Sequence, residues 1–155
     1  MRLEVGAELP ELRGPVLDRT RLATFAGGSG DLNPIHLDGD LARAAGYPDV
    51  FAHGMLSMAL LGRALSGWIG QDRVRRFRAR FTALTPVNAH PVCTGKVVAL
   101  EDHDGEPCAR LDLTVRLDDG TVTVTGEALV ALATFDLRHA PPRGPSSAGG
   151  GCPPG

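Results

Sequence analysis

The run from Gly54 to Ile69, Gly-Met-Leu-Ser-Met-Ala-Leu-Leu-Gly-Arg-Ala-Leu-Ser-Gly-Trp-Ile, is apolar on nearly every face at helical spacing and is closed by Gly70. A helix that is apolar all round has to be surrounded by other elements. What surrounds it follows directly in the chain, because the next segments read as strands. Arg76-Phe77-Arg78-Ala79-Arg80-Phe81 alternates, with Phe77, Ala79 and Phe81 on one side and three arginines on the other. Val92 to Leu100 is a less regular apolar run, and Ala109, Leu111, Leu113, Val115 and Leu117 alternate with Arg110, Asp112, Thr114 and Arg116. Asp119-Gly120 then predicts a hairpin into the run Thr121 to Val130. One long buried helix followed by an antiparallel meander predicts an α+β domain in which a sheet curls around the helix.

Upstream, Leu22, Phe25 and Ala26 are spaced i, i+3, i+4 behind Asp18, which predicts a short capped helix ended by Gly27-Gly28. A second short helix is predicted from Asp38 to Ala45, stopped by Gly46 and Pro48. At 155 residues the chain has the size of one domain with a real core. We place that domain at residues 1–137 and read residues 138–155, rich in Pro, Gly and Ser, as a tail too poor in apolar surface to order. The net charge of -2 gives no whole-molecule reason to bind nucleic acid or an anionic membrane surface. No segment approaches a transmembrane span, and the opening Met1 to Glu8 lacks the apolar core of a signal peptide. Cys93, Cys108 and Cys152 are an odd set without metal-ligand spacing, which fits reduced thiols and a cytoplasmic protein.

Between the two short helices lies Gly30-Asp31-Leu32-Asn33-Pro34-Ile35-His36. Its carboxylate and imidazole are five residues apart, across a turn that Pro34 stiffens and Gly30 opens. Each residue alone is ordinary turn chemistry, since Asp and Asn side chains bond their own backbone. Together Asp31 and His36 form a pair of proton-handling groups held on one shaped loop. A second block, Phe51-Ala52-His53-Gly54-Met55-Leu56, opens the apolar helix. There Gly54 offers a backbone N–H without an intrahelical partner, at the positive end of the helix dipole, to any oxyanion that develops beside it. His53 reads as a residue at the helix start satisfied by nearby backbone, and with Asn33 and Pro34 as a support of the loop. His90, His103 and His139 sit among Pro, Asp and Gly and read as solvated. A metal site from His36, Asp38 and Asp40 matches no structural zinc pattern, and no metal is expected.

These two blocks resemble the signature of the MaoC-like (R)-specific enoyl hydratases and 3-hydroxyacyl thioester dehydratases. The shared words are an aromatic at Phe25, small residues, Gly-Asp-x-Asn-Pro-aliphatic-His, and then Ala-His-Gly-Met-Leu. The resemblance implies a hotdog fold and a hydro-lyase that interconverts (R)-3-hydroxyacyl and trans-2-enoyl thioesters in fatty-acid or polyketide metabolism. It implies catalytic roles for Asp31 and His36 and a thioester-binding role for the Gly54 amide. It implies no cofactor beyond the phosphopantetheine of coenzyme A or acyl carrier protein that carries the substrate. The rival readings are a hotdog acyl thioesterase, which would release free acid, and a non-catalytic hotdog subunit or binding module. A single curled sheet leaves an edge strand open, which a second copy or a hotdog paralogue would cover. Arg76, Arg78 and Arg80 form the densest positive stripe in a near-neutral chain and are candidates for docking an acidic carrier, the alternative being a solvated strand face. Gly62 stands where a polar side chain is expected if the helix helps to bind the acyl group.

Overall fold

The computed structural model describes residues 3–132. The tail read from residue 138 onward, with His139 and Cys152, lies outside them, as does the domain boundary at residue 137. The elements run β1 (Glu8–Arg13), α1 (Arg19–Ser29), a 3₁₀ turn (Pro34–His36), α2 (Gly39–Ala44), α3 (Gly54–Ile69), a second 3₁₀ turn (Gln71–Arg73), β2 (Val74–Phe81), β3 (Val92–His103), β4 (Glu106–Arg116) and β5 (Val122–Ala131). The strands join one antiparallel sheet in the order β1-β3-β4-β5-β2, and α3 packs against all five. This is the hotdog arrangement.

Period-two alternation builds the wall. Leu111, Leu113 and Val115 of β4, Val97 of β3 and Val124, Ala128 and Val130 of β5 form one buried cluster with Leu60, Leu61, Ala64 and Leu65 of α3. Each such Leu or Val contributes about 1.5–3 kcal/mol relative to leaving it exposed. Helix and sheet approach closely where side chains are small. A Cβ on Gly126 would lie 2.9 Å from the Arg78 carbonyl oxygen and 3.3 Å from Leu61.

Two expectations need correction. α1 does not stop at Gly27-Gly28 but runs through both to Ser29. The stop requires a residue in the left-handed region, and Gly30 takes it at φ 76°, its N–H donating to the Ala26 carbonyl at 3.0 Å. Nor is α3 surrounded. Met55, Ala59, Arg63 and Gly67, spaced i, i+4, form an open stripe on which Met55 is 56 % exposed. A sheet wraps one side of a helix, and small side chains at Ala59 and Gly67 keep the apolar area of the open side low. The hairpin at Asp119-Gly120 is present, with Gly120 N–H on the Leu117 carbonyl at 2.9 Å. β3 continues past Leu100 to His103 because Asp104 and Gly105, at φ 53° and 84°, form a second tight turn into β4.

Candidate active site

The Asp31 loop is assembled by a succession of local side-chain bonds. Asp18 caps α1 by accepting the Arg21 N–H at 2.8 Å, and Gly30 turns the chain out of the helix. Asp31 Oδ1 accepts the Asn33 N–H at 3.3 Å and Asn33 Oδ1 accepts the Ile35 N–H at 3.1 Å, so two successive Asx turns lead into the 3₁₀ turn that Pro34 begins. Asp38 Oδ1 then accepts the N–H groups of Asp40 and Leu41 and starts α2, while Asp40 pairs with Arg43 at 2.5 Å. Asp38 and Asp40 are thus engaged by capping and an ion pair, and they do not join His36.

What joins His36 is His53. His36 Nδ1 lies 2.8 Å from the Phe51 carbonyl oxygen, and its ring meets the Phe51 ring edge-on at 5.0 Å. A carbonyl only accepts, so Nδ1 carries the hydrogen and, in the neutral imidazole, Nε2 presents its lone pair. His53 is 1 % exposed, and its Nε2–H donates to the Asp31 carbonyl at 3.0 Å. The two imidazoles stack with centroids 3.9 Å apart and planes at 32°, and Phe25 packs on His53 at 5.1 Å. One side-chain ligand atom from each of Asp31, His36 and His53 lies within 4.8 Å of the other two. The set does not fit a metal well. Imidazole lone pairs lie in the ring planes, and rings this close to parallel aim them side by side rather than at one point.

Gly54 opens α3 directly after His53, so its amide sits where the helix leaves N–H groups unpaired and where about half a positive charge accumulates. A Cβ at this position would meet the Phe81 ring at 3.3–3.5 Å, so Phe81 at the end of β2 roofs the glycine. Beneath that roof a recess of about 80 Å³ is bounded by Gly54, Ser57, Phe81, Leu84, Thr85 and Thr123, with Ser57 and Thr85 hydroxyls paired at 3.2 Å. The segment before Phe51 is braced from α1, where Arg19 Nη2 reaches both oxygens of Asp49 at 2.8 and 2.7 Å and Asp49 Oδ1 accepts the Val50 N–H. The Val50 amide and the Arg19 guanidinium hold the Asp49 carboxyl below its ordinary value.

The fold therefore brings together Asp31, Asn33, Pro34, His36, His53 and Gly54. Arg76, Arg78 and Arg80 stay apart from them, on the face of β2 opposite Phe77 and Ala79, which pack on the core. None of the three forms an ion pair among the described residues, whereas neighbouring Arg75 forks onto Glu106 at 2.6 and 2.7 Å. His90 is exposed, and His103 is partly exposed beside Asp104. Sequence reasoning missed the Phe51 carbonyl and the Phe81 roof. The first is a backbone atom with no residue signature, and the second depends on which strand end reaches α3.

Comparison with known proteins shows the family and the fold. Residues 6–116 match the family described as MaoC like domain. The chain is 31 % identical over 119 residues to an (R)-specific enoyl-CoA hydratase from Aeromonas caviae, covering 72 % of this chain and 83 % of that protein. It is also 31 % identical over 109 residues to fatty acid synthase subunit beta of Saccharomyces cerevisiae, which is 67 % of this chain but 5 % of that much longer protein. The solved (R)-hydratase of A. caviae superposes with a TM-score of 0.71 at 29 % identity over 84 % of this chain and 98 % of that one. An R-hydratase from Pseudomonas aeruginosa gives 0.71 at 28 % identity over 92 % of each. Among the described residues no helix is long and apolar enough to cross a membrane. By the family match and by its identity with the A. caviae enzyme, the chain belongs to the MaoC-like domain family.

Proposed function

We propose that the protein interconverts trans-2-enoyl and (R)-3-hydroxyacyl thioesters, working as a hydro-lyase on acyl chains of the fatty-acid type. The observation that carries this reading is the meeting of Asp31, His36 and the α3 N-terminus at one place. Hydration needs one group to take a proton from water as its oxygen adds to the β-carbon, one to deliver a proton to the α-carbon, and donors for the enolate oxygen between. His36 Nε2 and the Asp31 carboxylate are the two proton sites around one water: the proton that the pair takes from the water is the one it returns to the α-carbon, so both groups end as they began, each such group typically contributing about 10²- to 10⁴-fold in rate. The Gly54 amide supplies the donor, strengthened by the helix dipole. Water is the co-substrate and the electron count closes without a redox group, so no cofactor is required beyond the phosphopantetheine that carries the acyl group.

The carrier is coenzyme A or an acyl carrier protein. The enoyl-CoA activity named for the A. caviae relative supports the first. The stripe of Arg76, Arg78 and Arg80 supports docking of an acidic protein body, because it faces away from α3 and cannot reach the thioester itself. β2 ends the sheet with an open edge beside exposed Phe81 and Leu84, which suits pairing with a second hotdog chain, identical or paralogous. The decisive assay offers trans-2-butenoyl thioesters of both carriers and follows water addition and product configuration by chiral mass spectrometry. We expect (R)-3-hydroxybutanoyl thioester. Release of free acid without hydration would make the protein a thioesterase, and inertness toward both carriers would make it a non-catalytic subunit.

A further inference from the structure

We infer that His53 is a positioning residue that fixes both Asp31 and His36, acting through its Nε2–H and its ring face; the inference rests on the hydratase reading above. A residue selected only to begin α3 would be Ser, Thr, Asp or Asn, whose side chains bond the first free amides. His53 makes no capping bond. It uses its donor on the Asp31 carbonyl, 22 residues upstream, and lays its ring against His36 at 3.9 Å. Its peptide leads directly into Gly54. One buried side chain therefore touches the carboxylate-bearing residue by a hydrogen bond and the imidazole by stacking, and it sits next to the oxyanion donor along the chain.

The tautomer follows from the partners. Nε2 faces an acceptor and carries the hydrogen, and Nδ1, buried and without a partner among the described residues, carries the lone pair of the neutral ring. A buried nitrogen left unpaired is a cost that bulk alone would not justify, since an apolar side chain would fill the same space without it. What the apolar side chain could not do is hold the Asp31 carbonyl. The other bonds on Asp31, its carboxylate to the Asn33 amide and its N–H to Ser29 Oγ, are local and 3.3 Å long, so loss of the carbonyl tether releases Asp31 from the start of α3. Acid–base catalysis tolerates little of this, a displacement of about 1 Å being worth about 10²-fold in rate.

The test compares His53→Leu, which removes the donor, with His53→Gln, whose amide nitrogen reaches about as far from the backbone as Nε2 does. Four quantities are read: kcat and KM for enoyl hydration, the thermal midpoint, and the ¹H–¹⁵N correlations of the His36 ring, which need no activity. We expect His53→Leu to lower kcat about 10²-fold with KM little changed, and the His36 ring signals to shift as the ring loses the face that His53 lays against it. His53→Gln should recover most of the rate and return the His36 signals toward their wild-type positions. Unchanged kcat and unchanged His36 signals in His53→Leu would overturn the inference. An equal loss in both variants that tracks a fall in thermal midpoint would also overturn it, reducing His53 to packing. A wild-type chain that hydrates nothing contradicts the proposed function instead, and the His36 signals of the two variants still decide the role of His53.

Discussion

Four antiparallel ladders and a cluster of buried Leu, Val and Ala hold α3 against the sheet, whereas the segment from Gly30 to His53 is largely exposed and is shaped by single side-chain bonds. In the first region every contact has many neighbours that can share its loss. In the second, the direction of an imidazole depends on a 2.8 Å bond to the Phe51 carbonyl and on the His53 ring against its face, and that of the Asp31 backbone on a 3.0 Å bond from His53 and a 3.3 Å bond from its own N–H to Ser29 Oγ. Redundant packing gives stability, and sparse directional bonds give a geometry that can fail without unfolding the protein. Changes in the sheet should therefore act on stability, and changes in the loop on rate.

The largest expected effect on the scaffold comes from Leu111→Ala, which empties a fully buried position at the middle of the sheet. It should cost about 2–5 kcal/mol in urea unfolding, while kcat per folded molecule holds. A fall in kcat at temperatures where the variant is fully folded would break the separation of the two regions. Gly126→Ala should cost less, about 1–3 kcal/mol, because the added methyl meets the rigid Arg78 carbonyl and the strands must part slightly. A variant as stable as wild type would show that β2 and β5 yield more readily than their ladder suggests.

The smallest effect is expected at the brace between the regions. Asp49 has its carboxyl held below the ordinary value of 3.8 by the Val50 amide and Arg19, so its ionised form is favoured in the folded chain. A depressed acid contributes its stabilisation above the unfolded value and loses it as pH falls through the folded one. The thermal midpoints of wild type and Asp49→Asn should thus differ slightly at pH 7 and converge as pH drops below about 4. A gap that stays constant through acid pH would mean that Asp49 acts by shape alone.

How much of this was legible follows from the same contrast. The wall strands were readable because Phe77, Leu111, Leu113 and Val115 alternate strictly with polar residues, a signal repeated along each strand. β1 went unread because Glu8-Leu9-Pro10-Glu11-Leu12-Arg13 buries mainly Leu9 and contains a proline, which only an edge strand tolerates. The Asp104-Gly105 turn carried a plain signal that the irregular run before it concealed. In the site, Asp31, Asn33 and Pro34 announced a turn because their chemistry is local. The stack of His53 on His36 was not legible, since it joins residues 17 positions apart through a carbonyl and a ring face. The end of α1 shows the limit of rules based on residue type: three nearby glycines could have stopped it, and only the left-handed one did.

The central claim is that Asp31 and His36 work as one unit on a loop whose shape does not depend on their chemistry. Asp31→Asn keeps an oxygen for the Asn33 amide, and His36→Asn keeps an N–H near the Phe51 carbonyl, so both variants preserve the turn while removing the proton site. The measurement is kcat for enoyl thioester hydration in wild type, the two single variants and the double variant, with thermal midpoints alongside. The account predicts a loss of about 10²- to 10⁴-fold in each single variant, little further loss in the double, and midpoints close to wild type. Activity retained in either single variant, or losses that multiply in the double, would contradict it.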